Sequence, residues 1–162
     1  MHGGHEEHGE MDTKMVRHHY LMLGLNLLLS LIIMYVAMFA MIWTWGEFVQ
    51  NINFLYMALV MWAPMAAVML LTMRPMYPNV RLNGFLYLGF AAVFTLSMIG
   101  IRQQSLVGDR QFLRSMIPHH SGAVLMCEKA KVTDPEIQTL CQGIIGSQKS
   151  EIDQMKSILE RK

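Results

Sequence analysis

The sequence predicts an all-α protein: three transmembrane helices followed by an extramembrane antiparallel helical hairpin. Three observations carry this prediction. Long uncharged apolar runs occupy the middle of the chain, while charged residues crowd its two ends. The last third returns to apolar residues at three- and four-residue steps, the mark of an amphipathic helix. The stretch "TDPE" interrupts that pattern once, as a turn between two helices does.

The first element, residues 1–19, is a His/Met-rich tail with His2, His5, His8, His18, His19, Met11 and Met15. Its glycines and acidic residues suit a polar tail, but a His-rich tract of this kind also reads as a site for loading copper.

Residues 20–101 form the predicted membrane domain, with spans at 20–45, 54–73 and 82–101. The second and third runs each measure about 20 residues, enough for a ~30 Å hydrocarbon core at ~1.5 Å rise per residue. The first is too long for a cleaved signal peptide and shows no small-residue cleavage site. Trp43, Trp45 and Phe48 close it as an interfacial belt does. Pro64 falls inside the second span and is expected to kink it.

Short loops set the orientation. Lys14 and Arg17 precede the first span, and Arg74 and Arg81 lie between the second and third, whereas "GEFVQNIN" carries only Glu47. The positive-inside rule then puts the N-terminus in the cytoplasm and the C-terminal domain on the extracytoplasmic side of a plasma (inner) membrane. Arg102, Arg110 and Arg114 pull the other way.

Methionine accounts for 17 of 162 residues. In the second span Met57, Met61, Met65, Met69 and Met73 recur at four-residue steps, a stripe that drifts by ~40° per step. Adaptable packing accounts for such a stripe; a thioether path for Cu(I) is the sharper alternative.

Residues 102–162 form the predicted hairpin. Phe112, Met116, His119/His120, Ala123 and Met126/Cys127 share one face of its first helix. Thr133 or Asp134 caps the second, with Pro135 in its first turn and Glu136 at capping-box spacing from Thr133. Ile137, Leu140/Cys141, Ile144, Gln148, Glu151/Ile152, Met155 and Leu159 form the inner face of that helix. Antiparallel pairing about residue 134 sets Cys127 opposite Cys141, the histidines opposite Gln148, and Met116 opposite Glu151 and Ile152. Pro118 is expected to bend the first helix beside the histidines.

The candidate metal ligands are therefore Met116, His119, His120, Met126, Cys127, Gln148, Glu151 and Met155. A single Met on a helix is ordinarily core, and a single buried His is ordinarily a hydrogen-bonded core residue. Adjacent histidines also point about 100° apart on a helix, so only one can face squarely inward. What favours a site is the number of polar and sulfur groups on facing seams, costly to bury without a partner. Thioether, thiol and imidazole together favour a soft ion, Cu(I) with Ag(I) as its mimic; Zn(II) would want more His, Cys or carboxylate.

The strings "DRQFLRSMIPHHSGAVLM" and "EIQTLCQGIIGSQKSEIDQM" resemble the family catalogued as domain of unknown function three-hundred-and-five. Asp109, Phe112, Met116, Pro118, His119, His120, Ala123, Met126, Gln148, Glu151, Ile152 and Met155 occupy the positions of its pattern. The resemblance implies a ferritin-like helical bundle, of which one hairpin is half. It also implies copper binding through Met and His, as in some extracytoplasmic members. Cys127 and Cys141 depart from the pattern.

The expected function is a membrane-anchored copper-binding protein serving tolerance or delivery. A copper transporter or channel component using the methionine stripe, and a metal-free assembly module, are the alternatives. No enzyme is expected: the sequence offers no serine nucleophile with a base, no phosphate loop and no Glu-x-x-His pair. A net charge of +1 gives no reason to expect nucleic acid as a partner. The expected partners are the metal ion, the lipid bilayer and further copies of the chain, as a homodimer or higher even oligomer.

Overall fold

In the computed structural model the backbone of residues 4–162 and the side chains from Thr13 onward are described. The side chains of His2, His5, His8 and Met11, expected in a metal-loading tail, lie outside the described residues. Among the described residues every regular element is helical: α1 (Gly4–Ala37), α2 (Ile52–Thr72), α3 (Val80–Gln103), α4 (Asp109–Lys129) and α5 (Pro135–Arg161), with short 3-10 turns at Trp45–Glu47 and Arg74–Met76. Three stretches, Thr13–Ala37, Ile52–Thr72 and Val80–Gln103, are long and apolar enough to cross a membrane.

The second and third follow the expected spans closely. The first does not, because the helix expected over 20–45 ends at Ala37. The amides of Met38, Phe39, Ala40 and Ile42 bond to carbonyls three residues back, tightening the end of the helix. Phe39 then turns into an aromatic cluster, its ring centroid 4.2 Å from that of Phe48 and 4.9 Å from that of Phe54. Burial of these rings outweighs the helical propensity of the apolar run. Of the expected belt Trp45 is the most open, 87% exposed, while Trp43 and Phe48 are each 36% exposed.

The chain forms two compact units, and each joins segments far apart in sequence. One comprises Met1–Met34 and Met57–Met98. Its core is Leu23, Leu27, Ala63, Ala66, Leu70, Tyr77 and Phe90. Small Ala63 and Ala66 let helices approach closely, as small residues do where no hydrophobic effect drives association. Two polar contacts fix the packing: Trp62 Nε1 donates to the Leu27 carbonyl at 2.7 Å, and the Tyr20 hydroxyl donates to Asn83 Oδ1 at 2.7 Å.

The other unit comprises Tyr35–Tyr56 and Ile99–Lys162. Asp134 caps α5, its Oδ1 accepting from the amides of Glu136 and Ile137, and Pro135 fills the first position, where no amide is needed. Cys127 and Cys141 form a disulfide with Cα atoms 5.2 Å apart. At the far ends Asp109 pairs with Lys162. Between these ties Leu113 and Ile117 pack with Ile152 and Met155. Pro118 is buried within a helix that runs on to Lys129.

Candidate metal centre

Helical spacing places Met116 and His120 one turn apart on α4, and Glu151 and Met155 one turn apart on α5. The two pairs meet. His120 Nδ1 lies 3.0 Å from Glu151 Oε2. Met116 packs on the same apolar cluster that contains Met155. Sequence pairing set the histidines against Gln148; the structure sets His120 one turn further along α5, against Glu151.

The imidazole of His120 is mostly buried, whereas the Glu151 side chain is half exposed. Nδ1 and the carboxylate are in polar contact, although the pair is not aligned as a hydrogen bond. Burial lowers the His120 pKa below its ordinary value, and the neighbouring His119 adds to this, while Glu151 pulls it back up. The neutral imidazole, the form that ligates metals, is thereby favoured.

Several candidates fall elsewhere. His119 is exposed, its ring centroid 6.0 Å from that of His120. Met126 is 54% exposed and points away from the α4–α5 core. Cys127 is held in the disulfide and offers no thiolate. Gln148 is half-buried. Phe112, Ile137 and Leu140, expected to face inward, are instead exposed. The face of α4 that is buried runs through Leu113, Ile117, Ser121 and Val124, because α4 has a second neighbour besides α5.

That neighbour is the 43–53 segment, and sequence reasoning missed its contribution. Glu47 is buried and collects three donors: Ser121 Oγ at 2.8 Å, the Thr44 amide at 2.9 Å and Lys156 Nζ at 3.4 Å. Ser121 in turn accepts from the Trp43 amide. Burial alone would raise the Glu47 pKa, but the bonds from Ser121 and Thr44 and the charge of Lys156 bring it below the ordinary value. A second network joins Ser115 to Asn51 and Asn53, and the Ile52 amide to Gln111. Trp43 spans both helices, donating through Nε1 to Glu128 while Lys149 sits 3.9 Å over its ring. The available signal was Glu47 itself, the lone charge between two apolar runs.

Among the described residues no three His, Cys, Asp or Glu side chains gather at one point. A metal held here needs the thioethers, and a donor set of one imidazole and two thioethers fits a soft monovalent ion rather than zinc. Of the α2 methionines, Met57 and Met61 are 45% and 43% exposed, while Met69 packs on the core of its unit.

An uncharacterized protein of Acanthamoeba polyphaga mimivirus is 39% identical over 72 residues, covering 43% of this chain and 47% of that protein. The chain thus spans about half the length of the curated relative it matches. No solved structure matches the chain. Residues 97–159, which hold α4, nearly all of α5 and every candidate ligand, match the family described as Domain of unknown function (DUF305).

Proposed function

We infer that this chain is a membrane-anchored copper-binding protein that holds Cu(I), with Ag(I) as its mimic, for copper tolerance or delivery. One observation carries the reading: the facing pairs Met116/His120 and Glu151/Met155, which bring two thioethers to the core beside an imidazole whose Nδ1 faces a carboxylate. Metal-ligating histidines commonly give one ring nitrogen to a carboxylate and the other to the metal. Here Glu151 orients, and His120 Nε2 is left for the ion with Met116 and Met155. Cu(I) brings the preference for soft donors; the chain brings burial and a neutral ring.

The α4–α5 pair reads as an extramembrane antiparallel hairpin, half of a ferritin-like bundle, anchored by three transmembrane helices. The apolar surface that α1–α3 turn outward, such as Leu21, Ile33, Phe85 and Leu96, supports a bilayer setting. A Cys127–Cys141 disulfide belongs to an oxidising compartment, which supports an extracytoplasmic α4–α5 and a cytoplasmic N-terminus.

The test is Cu(I) retention by the full chain in mild detergent against a competing chelator. Wild type is expected to hold one equivalent that His120→Ala and the pair Met116→Leu with Met155→Leu each lose, with helicity retained. Undiminished retention in both variants would place copper elsewhere or remove it from the reading.

A further inference from the structure

The end of α2 and the start of α3 enclose a cavity of about 480 Å³ lined by Arg74, Tyr77, Pro78, Val80, Asn83 and Tyr87. Beside it runs an apolar groove of about 270 Å³, formed by Ala63, Pro64, Ala67, Ala91, Phe94 and again Tyr87. Tyr87 lines both. The small alanines and the proline ring leave the concavity between α2 and α3. On α3 the groove runs from Tyr87 to Thr95, about 12 Å along a helix axis.

Among the described residues, two groups at the polar end have no partner. Asn83 is engaged, accepting from Tyr20 and donating to the Tyr77 carbonyl at 2.8 Å. Arg74, by contrast, has no carboxylate partner among the described residues. The Tyr87 hydroxyl is buried and makes no hydrogen bond. A buried unpaired hydroxyl is costly, and an unpaired guanidinium is the side chain best shaped for a phosphate.

We propose that this site holds one anionic phospholipid, its phosphate at Arg74 and the Tyr87 hydroxyl, and an acyl chain in the groove against Pro64 and Phe94. The proposal rests on the membrane reading of α2 and α3. Under that reading Arg74 stands at the membrane surface and the groove at acyl-chain depth. A single occupant with a charged head and an apolar tail then satisfies both halves. A water-soluble anion fills only one of them.

Native mass spectrometry in mild detergent tests this, with phosphatidylglycerol, phosphatidylcholine and inorganic phosphate as probes. Wild type is expected to retain one phosphatidylglycerol and little phosphatidylcholine. Arg74→Gln should weaken retention about tenfold, the loss usual for a charge-assisted bond. Tyr87→Phe should weaken it severalfold. Ala91→Phe, at an exposed position of the groove, should fill it and abolish retention while leaving the thermal melt unchanged. Arg81→Gln, outside the cavity, should change nothing. Equal retention of both lipids, or wild-type retention in Arg74→Gln and Ala91→Phe, overturns the proposal. So does Arg74-dependent binding of inorganic phosphate without lipid, which would mark a plain anion pocket. Release of the chain from membranes by alkaline washing would instead fail the membrane reading, a separate measurement.

Discussion

His119 and His120 are chemically alike and adjacent, yet their surroundings differ. One is exposed; the other is mostly buried and 3.0 Å from Glu151. The expected consequence is a split between them. His119→Ala should leave Cu(I) affinity nearly unchanged. Glu151→Gln should lower it about 10- to 100-fold, the usual cost of removing a carboxylate that orients a metal-bound histidine. Chelator competition on the two variants measures this, and equal losses would mean that both rings bind. Glu47 gives a second residue-level expectation, in pH. Its pKa is depressed in the folded chain, so the folded state binds fewer protons than the unfolded one near that value. The contribution is then fully present above the ordinary value of 4.5 and is lost as pH falls through the depressed one. Thermal melts of wild type and Glu47→Gln should differ at pH 7 and converge as pH falls below 4.5 through the depressed value. A gap that persists at low pH would show that the carboxylate charge is not what matters.

At the scale of elements, α2, α3, α4 and α5 were legible because each has a strong periodic or uncharged pattern and a clear stop. The Asp-Pro at the start of α5 and the facing cysteines were also readable from spacing. The end of α1 was not. No charge, proline or glycine marks Ala37; what ends the helix is tertiary, the stacking of Phe39 on Phe48 and Phe54. The buried face of α4 was missed for a related reason. Periodicity alone does not reveal that the 43–53 segment packs on it, and Ser121 reads as a neutral polar residue until Glu47 is beside it. Ser121→Ala should therefore cost about 1–3 kcal/mol, leaving the Trp43 amide and a buried carboxylate short of partners. A substitution without effect on the melt would place water in that gap. The disulfide closes a loop with a sequence separation of 14, for which chain entropy gives about 3 kcal/mol. Thiol counting on denatured, unreduced protein should find none free, and reduction should lower the melting temperature.

At the scale of the whole molecule the open question is assembly. A two-helix pair has too little core to stand alone, and a second copy is the direct way to complete a four-helix bundle. The structure alters the terms of that argument, since within its own unit α4 already has the 43–53 segment against it. What remains uncovered are apolar side chains beside the disulfide: Leu140 at 62% exposure, Met126 at 54% and Ile137 at 47%. Their burial between two copies would stabilise a dimer, and a shared membrane would raise the effective concentration of the paired domains. The expected outcome is a dimer or higher even-numbered assembly by crosslinking in native membranes and by mass analysis in mild detergent. Leu140→Glu should shift it toward monomer, because a two-fold interface would set the two introduced carboxylates near each other. Copper retention by that monomer then divides two designs. If it holds copper as wild type does, the quartet on α4 and α5 is sufficient within one chain; if retention falls with the dimer, ligands from both copies complete the site. A wild-type chain that is monomeric in membranes and melts cooperatively would remove the dimer altogether.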